Sequence, residues 1–242
     1  MNSIDTFSGS FLITTQLEKL WHIVKKVHLS SLFSFFTTRK IRRLMNLREY
    51  SLSDFAIDKS ALKIPACSSC HEICCHSAHN KVSLRIIDIA MLIDIKRTDL
   101  INMKHEQEEV IISKRPNFSL MRETIGWKLF PTLKQFLGNN QLCMALTPQL
   151  TCGLHPYWPL SCKRYPYSIS TETMTIFWAK GCKSFEPVNE IPKQYLSALQ
   201  AAVDNYNWRI REILLLKFCF KELQQLGITR FIHIEQFKKI FG

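Results

Sequence analysis

Cys67-Ser68-Ser69-Cys70-His71-Glu72-Ile73-Cys74-Cys75 sets four thiols side by side in one short polar stretch. A C-x-x-C turn lets two sulfurs face one ion without long-range folding. A metal lowers the thiol pKa enough to supply the thiolate ligand. Adjacent Cys74 and Cys75 point differently, so they would serve two ions or two corners of one cluster. Around this stretch residues 64–80 keep no helical or strand period, and the spacing predicts an irregular, ligand-rich loop.

Four more cysteines follow: Cys143, Cys152, Cys162 and Cys182. Their spacing is not that of a zinc ribbon, which needs a second C-x-x-C. Nor is it the ferredoxin run of closely spaced cysteines ending in C-P. Residues 143–190 also carry Pro148, Pro156, Pro159, Pro166 and Pro187, and read as irregular. An irregular stretch of that length needs a cross-link to be ordered, and metal is the natural one under reducing conditions. The eight cysteines satisfy two tetrahedral sites. The plainer alternative is a set of redox-active or merely buried thiols. Cys219, inside Leu214-Leu215-Leu216-Lys217-Phe218-Cys219-Phe220, reads as a buried structural cysteine. His71, His76, His79 and His155 neighbour the cysteines; any could replace a cysteine as ligand, but with eight thiols available each reads first as a surface or supporting group. His22, His28, His105 and His233 have no evident partner.

The chain has 242 residues, 46% hydrophobic and 21% charged, which excludes disordered and collagen-like classes. Seven glycines form no G-x-G-x-x-G, no Walker A loop and no G-x-S-x-G, so the common nucleotide and hydrolase signatures are missing. His71-Glu72 is not followed by x-x-His, so it is no zincin. Pro65-Ala66-Cys67 has one residue too many for the deaminase P-C-x-x-C, and no upstream H-x-E lies within reach.

The first residues lack the basic start of a secretory signal. The longest early uncharged runs, Thr6–Leu17 and Val27–Thr38, fall well short of the ~20 residues of a spanning helix. The expectation is a cytoplasmic protein with no transmembrane segment. Thiols stay reduced there, and nine cysteines could not all pair anyway.

The formal net charge is +12, spread over the whole chain. Its densest run, Arg39, Lys40, Arg42, Arg43 and Arg48, reads first as a solvated helix face. Nucleic acid or an acidic membrane surface is the less favoured partner, beside an unspecified protein partner. Lys81, Arg85, Lys163, Arg164, Lys180 and Lys183 lie near cysteines in sequence and would offset thiolate charge.

Residues 11–48 read as one or two amphipathic helices, with Ile13, Leu17, Leu20, Trp21, Val24 and Val27 recurring at three- and four-residue steps. Ser83 would cap a helix from Leu84 to about Ile95. Thr98 would cap another from Asp99 and Leu100. Val110-Ile111-Ile112 and Leu129–Phe136 read as short strands, the second interrupted by Pro131. Helix returns from Pro192 to Leu226 on a stripe of Tyr195, Leu199, Ala202, Tyr206, Ile210 and Ile213, with Gly227 as its stop. The expected fold is α+β and mostly helical, an irregular metal-stapled cysteine-cluster core flanked by N- and C-terminal helices. Its segments are a basic helical extension (1–60), a cysteine-cluster metal-binding domain (61–190) and a C-terminal helical segment (191–242).

The cysteine pattern resembles the YkgJ-type family, named for C-x-x-C-x-x-C-C and described as zinc- or iron-chelating. Cys143-Met144-Ala145-Leu146 resembles the start of that family's second block. Cys152-Gly153-Leu154-His155-Pro156-Tyr157-Trp158-Pro159-Leu160-Ser161-Cys162-Lys163-Arg164-Tyr165-Pro166 resembles the rest without a gap, and Cys182 would be the late cysteine. Val82–Ile89 resembles the helix after the first cluster, with Asp88 at its acidic position. The match spans about residues 64–184. Three residues separate Cys70 from Cys74 where the family's name has two; His155 stands for Tyr, Trp158 for Arg and Lys163 for Arg. The longer spacing occurs in the related flagellin lysine N-methylases. The resemblance implies zinc or iron, an iron–sulfur cluster included, held by Cys67, Cys70, Cys74, Cys75, Cys143, Cys152, Cys162 and Cys182. The alternatives are a protein-lysine N-methyltransferase-like enzyme, and a basic adaptor for nucleic acid or membrane with structural zinc.

Overall fold

The computed structural model describes residues 11–30, 34–66, 82–102, 129–134, 142–149, 151–179 and 181–241. Over these the chain is α+β, with helix predominating and the strands in small sheets.

The N-terminal periodicity becomes two helices, α1 (Leu12–Val24) and α2 (Ser34–Leu44). Leu17, Trp21 and Val24 turn inward as their spacing predicts. Val27 does not. A π turn over Lys25–Leu29 admits one extra residue per turn, which carries Val27 off the stripe to 51% exposure. His28 in that turn stacks on Phe218, with ring centroids 3.8 Å apart.

Helix α3 runs from Ile86 to Asp94. Ser83 does not cap it, contrary to expectation. The backbone before α3 is committed to a β-bridge: Leu84 N–H donates to Pro131 O (2.9 Å), Leu133 N–H donates to Val82 O (3.0 Å), and Ser83 bridges Thr132. The helix therefore starts later, with Arg85 as the flanking residue. Asp94, at the far end of α3, accepts from the N–H groups of Ile13 and Thr14 and from the Thr14 hydroxyl. It thus satisfies the otherwise orphaned first turn of α1 and docks the two helices.

Thr98 begins only a single 3₁₀ turn, because Ile101–Asn102 (β3) leaves to pair antiparallel with Thr132–Leu133 (β4). Of the Leu129–Phe136 strand, Thr132–Leu133 is the part that forms. Phe136 and Val110–Ile112 lie outside the described residues. Ala56–Ile57 (β1) runs parallel to Thr175–Trp178 (β6), which forms a hairpin with Tyr167–Ser170 (β5). Lys63–Pro65 (β2) pairs antiparallel with Phe185–Pro187 (β7). The stretch expected to be irregular thus contains a hairpin, a further strand and the short helix α4 (Leu160–Lys163). Its local signal is the alternation in Thr175-Ile176-Phe177-Trp178, where Ile176 and Trp178 face inward.

The C-terminal half is dominated by α5 (Leu196–Phe218), about 35 Å long. Leu199, Ala202, Tyr206, Ile210 and Ile213 are buried as their stripe predicts, but so are Ala201, Val203, Asn205, Asn207, Trp208 and Glu212. A helix buried nearly all round is a central one. Its first half packs with Phe55, Tyr167, Ile176 and Trp178; its second half joins Leu17, Trp21, Leu84, Ile89 and Leu92. One hydrophobic cluster therefore draws on residues from all three sequence segments. Cys219 breaks the helix before α6 (Phe220–Gln225) and is buried there, as expected. Gly227, at φ +73°, ends α6 as predicted: Ile228 N–H reaches back to Leu223 O at 3.0 Å, a closure that needs the left-handed conformation. The chain continues into α7 (Ile234–Phe241). Among the described residues no helix is long and apolar enough to cross a membrane.

Candidate metal centre

Cys143 and Cys152 are brought together by a loop that folds back on itself. Leu146 forms a bridge with Cys152, Gly153 N–H donates to Ala145 O at 2.7 Å, and Thr147 N–H donates to Thr151 O at 2.8 Å. The return is tight. A Cβ on Gly153 would lie 3.1 Å from Ala145 O, so glycine permits this approach. Burial pushes the Cys143 thiol up, and repulsion from the neighbouring Cys152 adds to it. Without a cation beside it, Cys143 remains a protonated thiol at neutral pH.

Cys162 sits in α4, whose N-terminus is held by a buried carboxylate. Asp88 accepts from Leu160 N–H at 2.8 Å through one oxygen and from Arg85 N–H at 2.7 Å through the other. The neighbouring Ser161 hydroxyl donates to Ser83 O at 2.8 Å and accepts from the Asn205 amide at 3.2 Å. Asp88 therefore ties α3, α4 and the backbone before α3 into one unit. Burial raises its carboxyl to about 6, opposed by the two N–H donors and by Arg85 and Lys163.

Cys182 follows the β5–β6 hairpin. Its carbonyl accepts from Trp178 Nε1–H at 2.9 Å, and its Sγ lies 3.5 Å from Ser184 O as donor. Two residues on, the β2–β7 ladder extends beyond its strands: Ala66 N–H donates to Ser184 O at 3.3 Å, and Ser184 Oγ donates to Ala66 O at 3.1 Å. Tyr167 closes the corner by donating to Lys63 O at 2.7 Å, and burial first, then Tyr195 and Cys182, push its hydroxyl up to about 12.

Cys143 and Cys152 are free thiols. Cys143 and Cys152 adjoin the larger core, whereas Cys182 lies against the smaller one. Cys67, Cys70, Cys74 and Cys75 lie outside the described residues, as do His71, His76 and His79. Among the described residues no group of three or more His, Cys, Asp and Glu side chains converges as a metal site. The soft, neighbouring thiols of Cys143 and Cys152 suit zinc or iron as donors, but they make only part of a four-coordinate site. His155 is exposed, its ring against Trp158.

No family model, curated protein or solved structure matches this chain.

Arg85 is one of the cations whose place in the sequence suggests an offset for thiolate charge. It is buried in an ion pair with Glu212 at 2.7 Å. Sequence reasoning also passed over Ser161 and Ser184, which fasten the backbone beside two of the cysteines. Their small hydroxyls one or two residues from a cysteine are a weak local signal.

Asp88→Asn should separate these parts. An amide oxygen can accept one of the two N–H groups, while its NH₂ faces the other. The expected loss is about 1–3 kcal/mol for the donor left unpaired. Hydrogen exchange at Leu160 should quicken. Asp88 has a folded pKa near 6 and an unfolded one near 4, so its contribution is fully present below pH ~4 and lost as pH rises through ~6. Urea titrations across that window should show a shallower downward slope in Asp88→Asn than in the parent, the remainder coming from Glu212, whose carboxyl burial also pushes up.

Proposed function

We propose that this chain is a cysteine-cluster metal-binding protein in which Cys67, Cys70, Cys74, Cys75, Cys143, Cys152, Cys162 and Cys182 supply thiolates to zinc or iron. One observation supports the reading above others. The residues on either side of the segment 67–81 are hydrogen-bonded to neighbours of the later cysteines. Ala66, which precedes Cys67, is clamped to Ser184 beside Cys182. Val82 and Ser83, which follow the segment, are bonded to Leu133 and to Ser161 beside Cys162, and Lys134 O next to Leu133 accepts from Met144 N–H beside Cys143. The fold thus removes most of the loop-closure cost of uniting the two cysteine blocks.

Thiolates suit zinc and iron better than hard cations. When bound, the metal would staple both blocks and contribute folding free energy. The resemblance to YkgJ-type proteins points the same way, and a cytoplasmic location fits ligands that must stay reduced.

The test is metal content by mass spectrometry on protein purified without oxygen, with a visible spectrum of the same sample. A colourless sample with about two zinc per chain, or a brown one with iron and labile sulfide, is the expected result. A natively folded, metal-free chain whose thiols all react with a thiol reagent would overturn the reading.

A further inference from the structure

Helix α2 buries the wrong residues for a chain that ends at its own surface. Ser34 and Thr38 face the core beside Ile41 and Met45, while Phe35 and Phe36 stand outside at 57% and 74% exposure. The buried polar groups are made tolerable locally. The Thr38 hydroxyl donates to Ser34 O and accepts from Arg42 Nε–H. The two rings meet each other edge to face at 5.8 Å. The preceding π turn packs against α2 and leaves Val27 exposed, with Ile23 exposed one turn earlier.

The charge around these residues has one sign. Glu18 is the only acid between residues 11 and 48. Lys26, Arg39, Lys40 and Arg43 are exposed. Within the segment Lys25 pairs with Glu49 and Arg48 with Asp54. Exposed aromatic and aliphatic side chains on a segment this rich in cations are complementary to anionic lipid. Rings and aliphatic side chains enter the headgroup–acyl boundary while Lys and Arg meet the phosphates. Ile23 and Val27 favour this surface over nucleic acid, because aliphatic side chains offer a base no stacking face.

We propose that the segment α1–α2 docks on an anionic membrane surface, with Phe35, Phe36, Ile23 and Val27 as the inserted side chains and Lys26, Arg39, Lys40 and Arg43 as the headgroup contacts. This is independent of the metal-binding reading, because none of these residues adjoins a cysteine.

The test is flotation of the folded 242-residue chain as purified with phosphatidylcholine vesicles, with and without phosphatidylglycerol, alongside oligonucleotide binding and gel filtration. The chain should float only with the anionic vesicles. Phe35→Ser/Phe36→Ser should weaken that binding by at least about tenfold with an unchanged circular dichroism spectrum. Arg39→Gln/Arg43→Gln should weaken it by more than about tenfold at low salt, at roughly fivefold per basic residue. Absence of flotation, or flotation that the double Phe variant leaves unchanged, would overturn the proposal. So would oligonucleotide binding without vesicle binding, or a dimer in solution that the Phe variant dissociates.

Discussion

Glu212→Leu should cost roughly 3–5 kcal/mol, a large part of the stability of an ordinary domain. The Glu212 and Arg85 side chains are only 1% and 3% exposed, and their closest atoms are 2.7 Å apart. The second Glu212 oxygen lies 3.4 Å from Ile86 N–H, at the first turn of α3. Removing the carboxylate strands a guanidinium in the core and orphans that N–H. The parent pair is itself not fully satisfied, since Arg85 Nε has no hydrogen-bond partner among the described residues. A buried pair of this kind contributes less than its Coulomb attraction suggests. The double variant Arg85→Met/Glu212→Leu should therefore recover most of the loss. Urea unfolding of the parent, both single variants and the double variant at fixed metal load measures the coupling. A Glu212→Leu variant within about 1 kcal/mol of the parent would contradict the argument. The damage should also reach the cysteines, because the start of α3 holds Asp88 and Asp88 holds α4.

How far the sequence discloses this molecule depends on how local the signal is. Leu17, Trp21 and Val24 announce their helix because burial there follows one period, and Gly227 announces a stop because left-handed backbone favours one residue type. The start of α3 is not readable in that way. Ser83 is a good N-cap by type, yet the groups on either side of it, Val82 O and Leu84 N–H, are taken by Leu133 and Pro131 from a distant part of the chain, and its own carbonyl accepts from Ser161. Asn205, Asn207 and Glu212 are polar residue types that look solvent-facing in α5. They are instead internal anchors: the Asn207 amide alone accepts from Tyr50 N–H at 2.9 Å and donates to Tyr50 O at 2.7 Å. Val27 fails for a third reason, since a single π turn resets the phase of an otherwise correct stripe. For the cysteines, the sequence shows which residues are candidates. The clamps at Ala66–Ser184, Val82–Leu133 and Ser83–Ser161 are tertiary, and no spacing rule reveals them.

Chelation should have the largest effect of all. Structural zinc contributes on the order of 10 kcal/mol per ion to folding, more than the marginal stability most domains hold in reserve. The losses should not be uniform. The larger core is built from apolar side chains of α1, α3 and α5 and does not itself need the ion. The short strands that bracket 67–81 have only two or three residues each, too few to hold alone. Chelated protein should therefore lose hydrogen-exchange protection first at Ala66, Leu84, Leu133 and Met144, whose N–H groups make the clamps. Cys152→Ser and Cys182→Ser should each lose metal and show the same pattern without chelator. Cys219→Ser is the control. That thiol is buried at the break between α5 and α6, and burial, with Glu222 nearby, pushes it up to about 11. It is a protonated packing group, so its loss should cost about 1–3 kcal/mol for the buried hydroxyl introduced and leave metal stoichiometry unchanged. Equal metal loss in Cys219→Ser and Cys152→Ser, or clamps that stay protected after complete chelation, would detach the cysteines from the folding of this region.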